Sequence, residues 1–136
     1  MALVVLAGCG GDEGGDAATY ERGGDAICAD YRAEIAKLGQ PTQVEEVGAY
    51  IAQALPVLTR TVERIEKLDP PTKLRDDYET FRDAARQTVD RANALRSAAD
   101  AANADEVQRL LAEATKASER RRELARSAGL EACAEI

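Results

Sequence analysis

Residues 74–100, LRDDYETFRDAARQTVDRANALRSAAD, carry apolar side chains in alternating steps of four and three residues. The positions in this series are Leu74, Tyr78, Phe81, Ala85, Thr88 or Val89, Ala92, Leu95 and Ala99. A seven-residue repeat places these side chains on one stripe of an α-helix, which is the pattern of left-handed helix packing. The segment therefore predicts a long helix, beginning near Thr72, whose apolar stripe packs against neighbouring helices.

Two stretches before this segment show the same helical spacing of apolar residues. The first covers about residues 25–38, with a start that Gly23 and Gly24 blur and that can extend back toward Thr19. It stops at Gly39, which suits a left-handed residue after a helix. The second covers about residues 42–68 and begins with Thr42 and Glu45, three residues apart as in a capping box. Both stretches are therefore predicted to be helices.

A further helix follows the central segment. Asn103 or Asp105 is its predicted N-cap, and it ends before Gly129, where Leu130 is expected to fold back on the last turn in a Schellman motif. Short connections make consecutive helices antiparallel. The sequence thus predicts an all-α fold, an up-down-up-down four-helix bundle formed by residues 25–136.

The composition excludes several classes of function. The chain has 136 residues, a net charge of −7 and no histidine. Nucleic acid is not an expected partner, because phosphate binding depends on clustered Lys and Arg. Without histidine there is no imidazole base or di-iron motif, and no calcium-loop pattern is found, so we expect no catalytic residue, no metal and no cofactor. The alternative, a haem held by a tyrosine, would use Tyr31, Tyr50 or Tyr78.

The N-terminus predicts a lipid anchor. Residues 6–9, LAGC, resemble the bacterial lipobox, in which the cysteine receives a diacylglycerol and the chain is cleaved before it. No Lys or Arg precedes the apolar run, so we expect residues 1–8 to be the end of a truncated signal peptide. Residues 9–24, rich in Gly and acid, are predicted to be a flexible tether attached through Cys9. The alternative is a cytosolic protein with a buried N-terminal strand.

The two remaining cysteines are predicted to form a disulfide. In the proposed topology Cys28, in the first turn of the first helix, lies beside Cys133, just after the last helix. An exported protein allows this bond to form. Two free buried thiols are the alternative.

Arg121 falls within the apolar stripe of the last helix, while its neighbours Arg120 and Arg122 point outward. A buried guanidinium costs several kcal/mol unless it is paired, and Glu34 on the first helix is the predicted partner. The alternatives are an anion or ligand site inside the bundle, or an Arg121 side chain that extends to solvent along a loose seam.

Besides the lipobox and the tether, the sequence contains the short segments DAIC (25–28), ALP (54–56), LDPP (68–71) and GLEAC (129–133). Together these segments resemble a group of small lipoproteins from high-GC Gram-positive bacteria, the actinobacteria. The resemblance implies a helical domain on the outer face of the cell membrane. It supplies neither an activity nor catalytic residues.

These observations lead to a non-enzymatic envelope lipoprotein whose bundle binds a partner. An interaction module for an envelope protein or cell-wall component would present an exposed apolar patch of several hundred square ångströms. A carrier of a small apolar ligand, with Pro56 as a hinge, would instead contain an internal cavity of about 300 Å³ or more. An enzyme using paired carboxylates is the least favoured alternative.

Overall fold

The computed structural model describes residues 14–136, so Cys9 and the predicted signal peptide lie outside it. Within this range the fold is all-helical, and the predicted four-helix bundle is confirmed. The helices are α1 (Ala17–Ala36), α2 (Val47–Ile65), α3 (Arg75–Asp100) and α4 (Ala104–Ser127). Short 3-10 helices precede α2 and α3, at Val44–Glu46 and Thr72–Leu74, and a third, Glu131–Glu135, follows α4 and is named here the closing turn.

The helices do not form a closed ring of four equal contacts. α3 packs against both α2 and α4, and α1 packs against α2. On the remaining side the closing turn contacts both α1 and α4, so these two helices are joined mainly through it. The closing turn therefore lies between α1 and α4 at one end of the bundle.

The start of α1 differs from the prediction. The helix begins at Ala17 rather than near Asp25, because the Asp16 carboxylate accepts a hydrogen bond of 2.8 Å from the Thr19 amide and caps the first turn. Tyr20 is buried, and its hydroxyl donates to the Ala128 carbonyl at 2.8 Å. Residues 17–24 thus belong to the bundle, and the predicted tether is too long at its C-terminal end.

Two glycines before and within α1 allow close approach of other segments. The Gly15 amide donates to the Pro70 carbonyl at 3.2 Å, and a Cβ at Gly15 would overlap the Asp69 carbonyl oxygen. A Cβ at Gly24 would overlap the side chain of Leu130. The chain entering α1 is therefore held against the α2–α3 loop, and α1 lies tightly on the residues after α4.

The capping box before α2 lies one residue later than predicted. Gln43 and Glu46 form it, rather than Thr42 and Glu45. The Glu46 carboxylate also accepts hydrogen bonds from the Thr42 amide at 2.7 Å and from the Gln43 amide. These bonds hold the pKa of Glu46 below its ordinary value.

The termini of α4 follow the prediction. Asn103 caps its start by accepting from the Glu106 amide at 3.1 Å. At its end Gly129 has φ of +71°, and the Leu130 amide donates to the Ala125 carbonyl, which completes the Schellman motif. The same motif ends α3, where Ala102 takes the left-handed position with φ of +53° and the Asn103 amide donates to the Ala98 carbonyl.

The buried side chains form two separate cores. The larger, named the disulfide core, contains the Cys28–Cys133 disulfide, whose Cα atoms are 5.1 Å apart, so the predicted bond is confirmed. Its other members are Tyr20, Ile27, Val62, Ile65, Tyr78, Phe81, Ala85, Ala125, Ala128, Leu130 and Ala134. The smaller, named the distal core, consists of Val47, Leu95, Ala98 and Val107.

Candidate functional site

A cavity of about 160 Å³ lies between the two cores. Its apolar wall is formed by α2, α3 and α4, with Ile51, Ala54, Leu55, Leu58, Ala92, Leu95, Ala114 and Ala117. Many of these side chains are small, so facing helices leave space between them. α1 contributes a single residue, Tyr31. The cavity therefore lies beside the part of the α1–α4 seam that the closing turn does not fill.

The cavity explains why the heptad stripe of α3 is not buried evenly. Phe81 and Ala85 at its start are buried in the disulfide core, and Leu95 near its end is buried in the distal core. Thr88 and Ala92, between them, are only half-buried and line the cavity. The repeat predicts the correct face of the helix, but the middle of that face meets a space rather than a side chain.

The charged side chains that line the cavity are all positive. Arg91 and Arg121 both line it, together with Tyr31, Tyr50, Thr88 and Ser118, and no carboxylate belongs to the lining. The whole chain has a net charge of −7. This partly exposed site is thus positive in an acidic protein.

Arg121 does not pair with Glu34, and that prediction is wrong. Glu34 accepts a hydrogen bond of 2.7 Å from Arg60 on α2. The reason is topological, since α1 packs against α2 and makes few direct contacts with α4. Glu34 therefore faces the neighbouring helix α2 instead of α4.

The guanidinium of Arg121 has only uncharged side-chain partners in the described residues. It donates to the Thr88 hydroxyl at 3.3 Å, to the Ser118 hydroxyl at 3.5 Å and to the main-chain oxygen of Ile136 at 3.1 Å. Burial lowers the pKa of Arg121, and the positive charges of Arg122 and Arg91 lower it further. The oxygen of Ile136, the last residue of the sequence, also accepts from Arg122 at 3.1 Å, so these two guanidinium groups share one acceptor while Arg121 stays partly desolvated.

Arg91 is half-buried and donates at 3.3 Å to the side-chain oxygen of Gln87, its one hydrogen-bond partner within residues 14–136. Sequence reasoning missed this residue, although a signal was present. Arg91 and Arg121 are the only arginines of α3 and α4 without an acidic residue three or four positions away. Such neighbours normally pair with exposed arginines on a helix, so their absence marks both positions.

Tyr31 and Tyr50 stand at the cavity from α1 and α2. Burial raises the pKa of the Tyr31 hydroxyl, and the nearby charge of Arg121 partly opposes this shift. The Tyr31 hydroxyl is therefore protonated at neutral pH and available as a hydrogen-bond donor. Tyr78, the third tyrosine considered for haem, is instead buried in the disulfide core, and its hydroxyl donates to the Ile65 carbonyl at 2.7 Å.

The described residues bring together no group of three or more acidic or cysteine side chains that could hold a metal ion. They also present few exposed apolar side chains, since Leu111, at 37%, is the only large one in residues 14–136. The extended apolar patch expected of an interaction module is thus not found on this part of the chain. The cavity, in turn, is about half the volume expected of an apolar carrier.

None of the helices described here is both long enough and apolar enough to cross a membrane. Comparisons of this chain with family models, with curated proteins and with solved structures found no significant match.

Proposed function

We propose that this chain is a non-enzymatic lipoprotein, anchored through Cys9 to the outer face of the cell membrane, whose bundle binds a small ligand in the cavity. The observation that carries the ligand site is the cavity itself, apolar on three sides and lined by two arginines without a carboxylate. Ligand sites commonly combine an apolar wall with a few convergent polar groups. This one has that composition.

A binding role rather than catalysis agrees with the lining residues. The hydroxyl groups of Thr88 and Ser118 both accept from Arg121. No carboxylate, imidazole or free thiol lines the cavity to act as their base. A nucleophile needs such a base within hydrogen-bond reach, so binding is the favoured reading.

The anchor is supported by the compartment that the disulfide suggests. Structural disulfides persist mainly in exported proteins. With Cys28 bonded to Cys133, Cys9 is the one cysteine left for acylation. The lipobox sequence and the resemblance to actinobacterial lipoproteins agree with this assignment.

Acyl labelling in a Gram-positive host tests the anchor. We expect wild-type protein to incorporate labelled fatty acid and to fractionate with membranes. Cys9→Ser should abolish labelling, whereas Cys133→Ser, which leaves the lipobox intact, should retain it. Equal labelling of wild-type protein and Cys9→Ser would refute the anchor.

Benzene binding tests the cavity. An apolar cavity of about 150 Å³ is known to accept benzene, so we expect benzene to shift NMR signals of residues around Ala92 and Ala117. Ala117→Leu would fill the space and should abolish these shifts. Ala112→Leu, on the exposed face of α4, is the matched control and should retain them. Absence of binding both by benzene and by benzene derivatives that carry a polar or charged group would refute the ligand site.

A further inference from the structure

We propose that the cavity selects a small anion on a compact apolar body, with its carboxylate or phosphate head bound by Arg91 and Arg121. This inference rests on the proposed function, in which the cavity is a ligand site, and adds the chemical class of the ligand. It depends on charge, donor geometry and volume, which are separate properties of the site.

The first argument is charge complementarity. Two guanidinium groups line one cavity with no acidic side chain in the lining, whereas Arg122 lies outside the lining and donates to the Ile136 oxygen at 3.1 Å. The other arginines of α3 illustrate the contrast, since Arg86, for example, pairs with Glu66 and lies 3.5 Å from Asp83. An anion in the cavity would relieve the repulsion between Arg91 and Arg121. A neutral ligand would not.

The second argument is the supply of hydrogen-bond donors. Each guanidinium has five N–H groups in a planar fork that matches carboxylate and phosphate oxygens. Arg91 uses one of its N–H groups on Gln87 within the described residues. Arg121 uses its terminal nitrogens on Thr88, Ser118 and Ile136 but makes no hydrogen bond there through Nε. Both arginines therefore retain donors for an anionic head, and the Tyr31 hydroxyl can add another.

The third argument is size. The cavity of about 160 Å³ is close to the volume that accepts one benzene molecule. Its apolar wall, including Ala54, Ala92 and Ala114, suits a body of roughly six to ten non-hydrogen atoms. A long acyl chain would exceed this space. The class that fits is an aryl or short branched carboxylate, or the corresponding phosphate ester.

Four probes with the same ring separate charge from shape. They are benzoate, phenyl phosphate, benzyl alcohol and benzylamine, titrated into the domain and followed by NMR or calorimetry. Hydrogen bonds to charged groups strengthen binding by about ten- to a hundredfold. We therefore expect benzoate or phenyl phosphate to bind at least tenfold more tightly than benzyl alcohol, and benzylamine to bind most weakly. Whichever of the two anions binds more tightly identifies the preferred head group.

Arginine variants test the assignment of the head group. Arg91→Met and Arg121→Met should each reduce the preference for the anion over benzyl alcohol by about tenfold, while benzene binding persists. Arg126→Met, an exposed position on α4, should leave the preference unchanged. If Arg121→Met unfolds the domain, Arg91→Met decides the question alone. Benzene binding without any preference for the anions would overturn this inference yet leave the cavity a ligand site, whereas failure of every probe would overturn both.

Discussion

The disulfide core and the distal core lie at opposite ends of one bundle and are built very differently. The first combines a disulfide, three buried aromatic rings and tyrosine hydroxyls bonded to Ala128 and Ile65. The second consists of four aliphatic side chains. A cavity separates them. The disulfide and most of the buried side chains of this small domain are thus concentrated at one end. We therefore expect the helices to be held together mainly there, so that the middle of the bundle can tolerate a cavity.

We expect removal of the disulfide to lower the free energy of unfolding more than any of the other substitutions below. The bond closes a loop with a sequence separation of 105 residues, so Cys28→Ala with Cys133→Ala should lower the free energy of unfolding by up to about 4.8 kcal/mol. Urea denaturation followed by circular dichroism measures the loss, and wild-type protein under reducing conditions is the control. A loss below about 1 kcal/mol would mean that packing alone holds the disulfide core together.

A matched pair of leucine truncations compares the two cores directly. Leu130 is fully buried in the disulfide core, whereas Leu95 belongs to the distal core and borders the cavity. Leu130→Ala should cost about 4 kcal/mol, because it creates a new void in close packing. Leu95→Ala should cost about 2.5 kcal/mol, since it enlarges an existing space. Urea midpoints give both values, and an equal or larger loss for Leu95→Ala would contradict the difference between the cores.

We expect the smallest changes in the free energy of unfolding at the Schellman turns that end α3 and α4. Ala102 at the distal end has φ of +53°, where Gly is favoured, so Ala102→Gly should raise the free energy of unfolding by about 1 kcal/mol. Gly129→Ala should lower it by about 1 to 2 kcal/mol, because φ is +71° and the new Cβ would lie 3.2 Å from Leu74. Ala101→Gly, at negative φ, is the control and should not stabilise. Thermal unfolding measures all three variants.

Much of the fold could be predicted because it depends on local chemistry. The heptad stripe from Leu74 to Ala99, the cap at Asn103 and the stop at Gly129 are each encoded by a few neighbouring residues. The disulfide followed from the antiparallel order of helices. The start of α1 cannot be fixed from the sequence, because two glycines disfavour a helix there, whereas tertiary contacts of Tyr20 and Gly24 stabilise it.

The cavity could be predicted only in part. The sequence marks Arg121 as unusual, because it falls within an apolar stripe, and a ligand site inside the bundle is one of the explanations that this position allows. The neighbours of Arg121 depend on tertiary packing, because the closing turn lies between α1 and α4 at one end and Glu34 pairs with Arg60 on α2. A 3-10 turn after the last helix leaves little trace in periodicity. Arg91 was missed because its role depends on the absence of acidic neighbours rather than on a motif.

The contact of Gly15 with Pro70 has a consequence for the orientation of the domain relative to a membrane. The α2–α3 loop holds the chain at Gly15, at the same end as the disulfide. If Cys9 is acylated as proposed, five Cα-to-Cα steps connect it to Gly14, and they can span at most roughly 18 Å. The disulfide end would then face the lipid, and the distal end would point away from it. Because this connection is so short, the distance between the membrane and the proposed ligand site would be set by the length of the bundle.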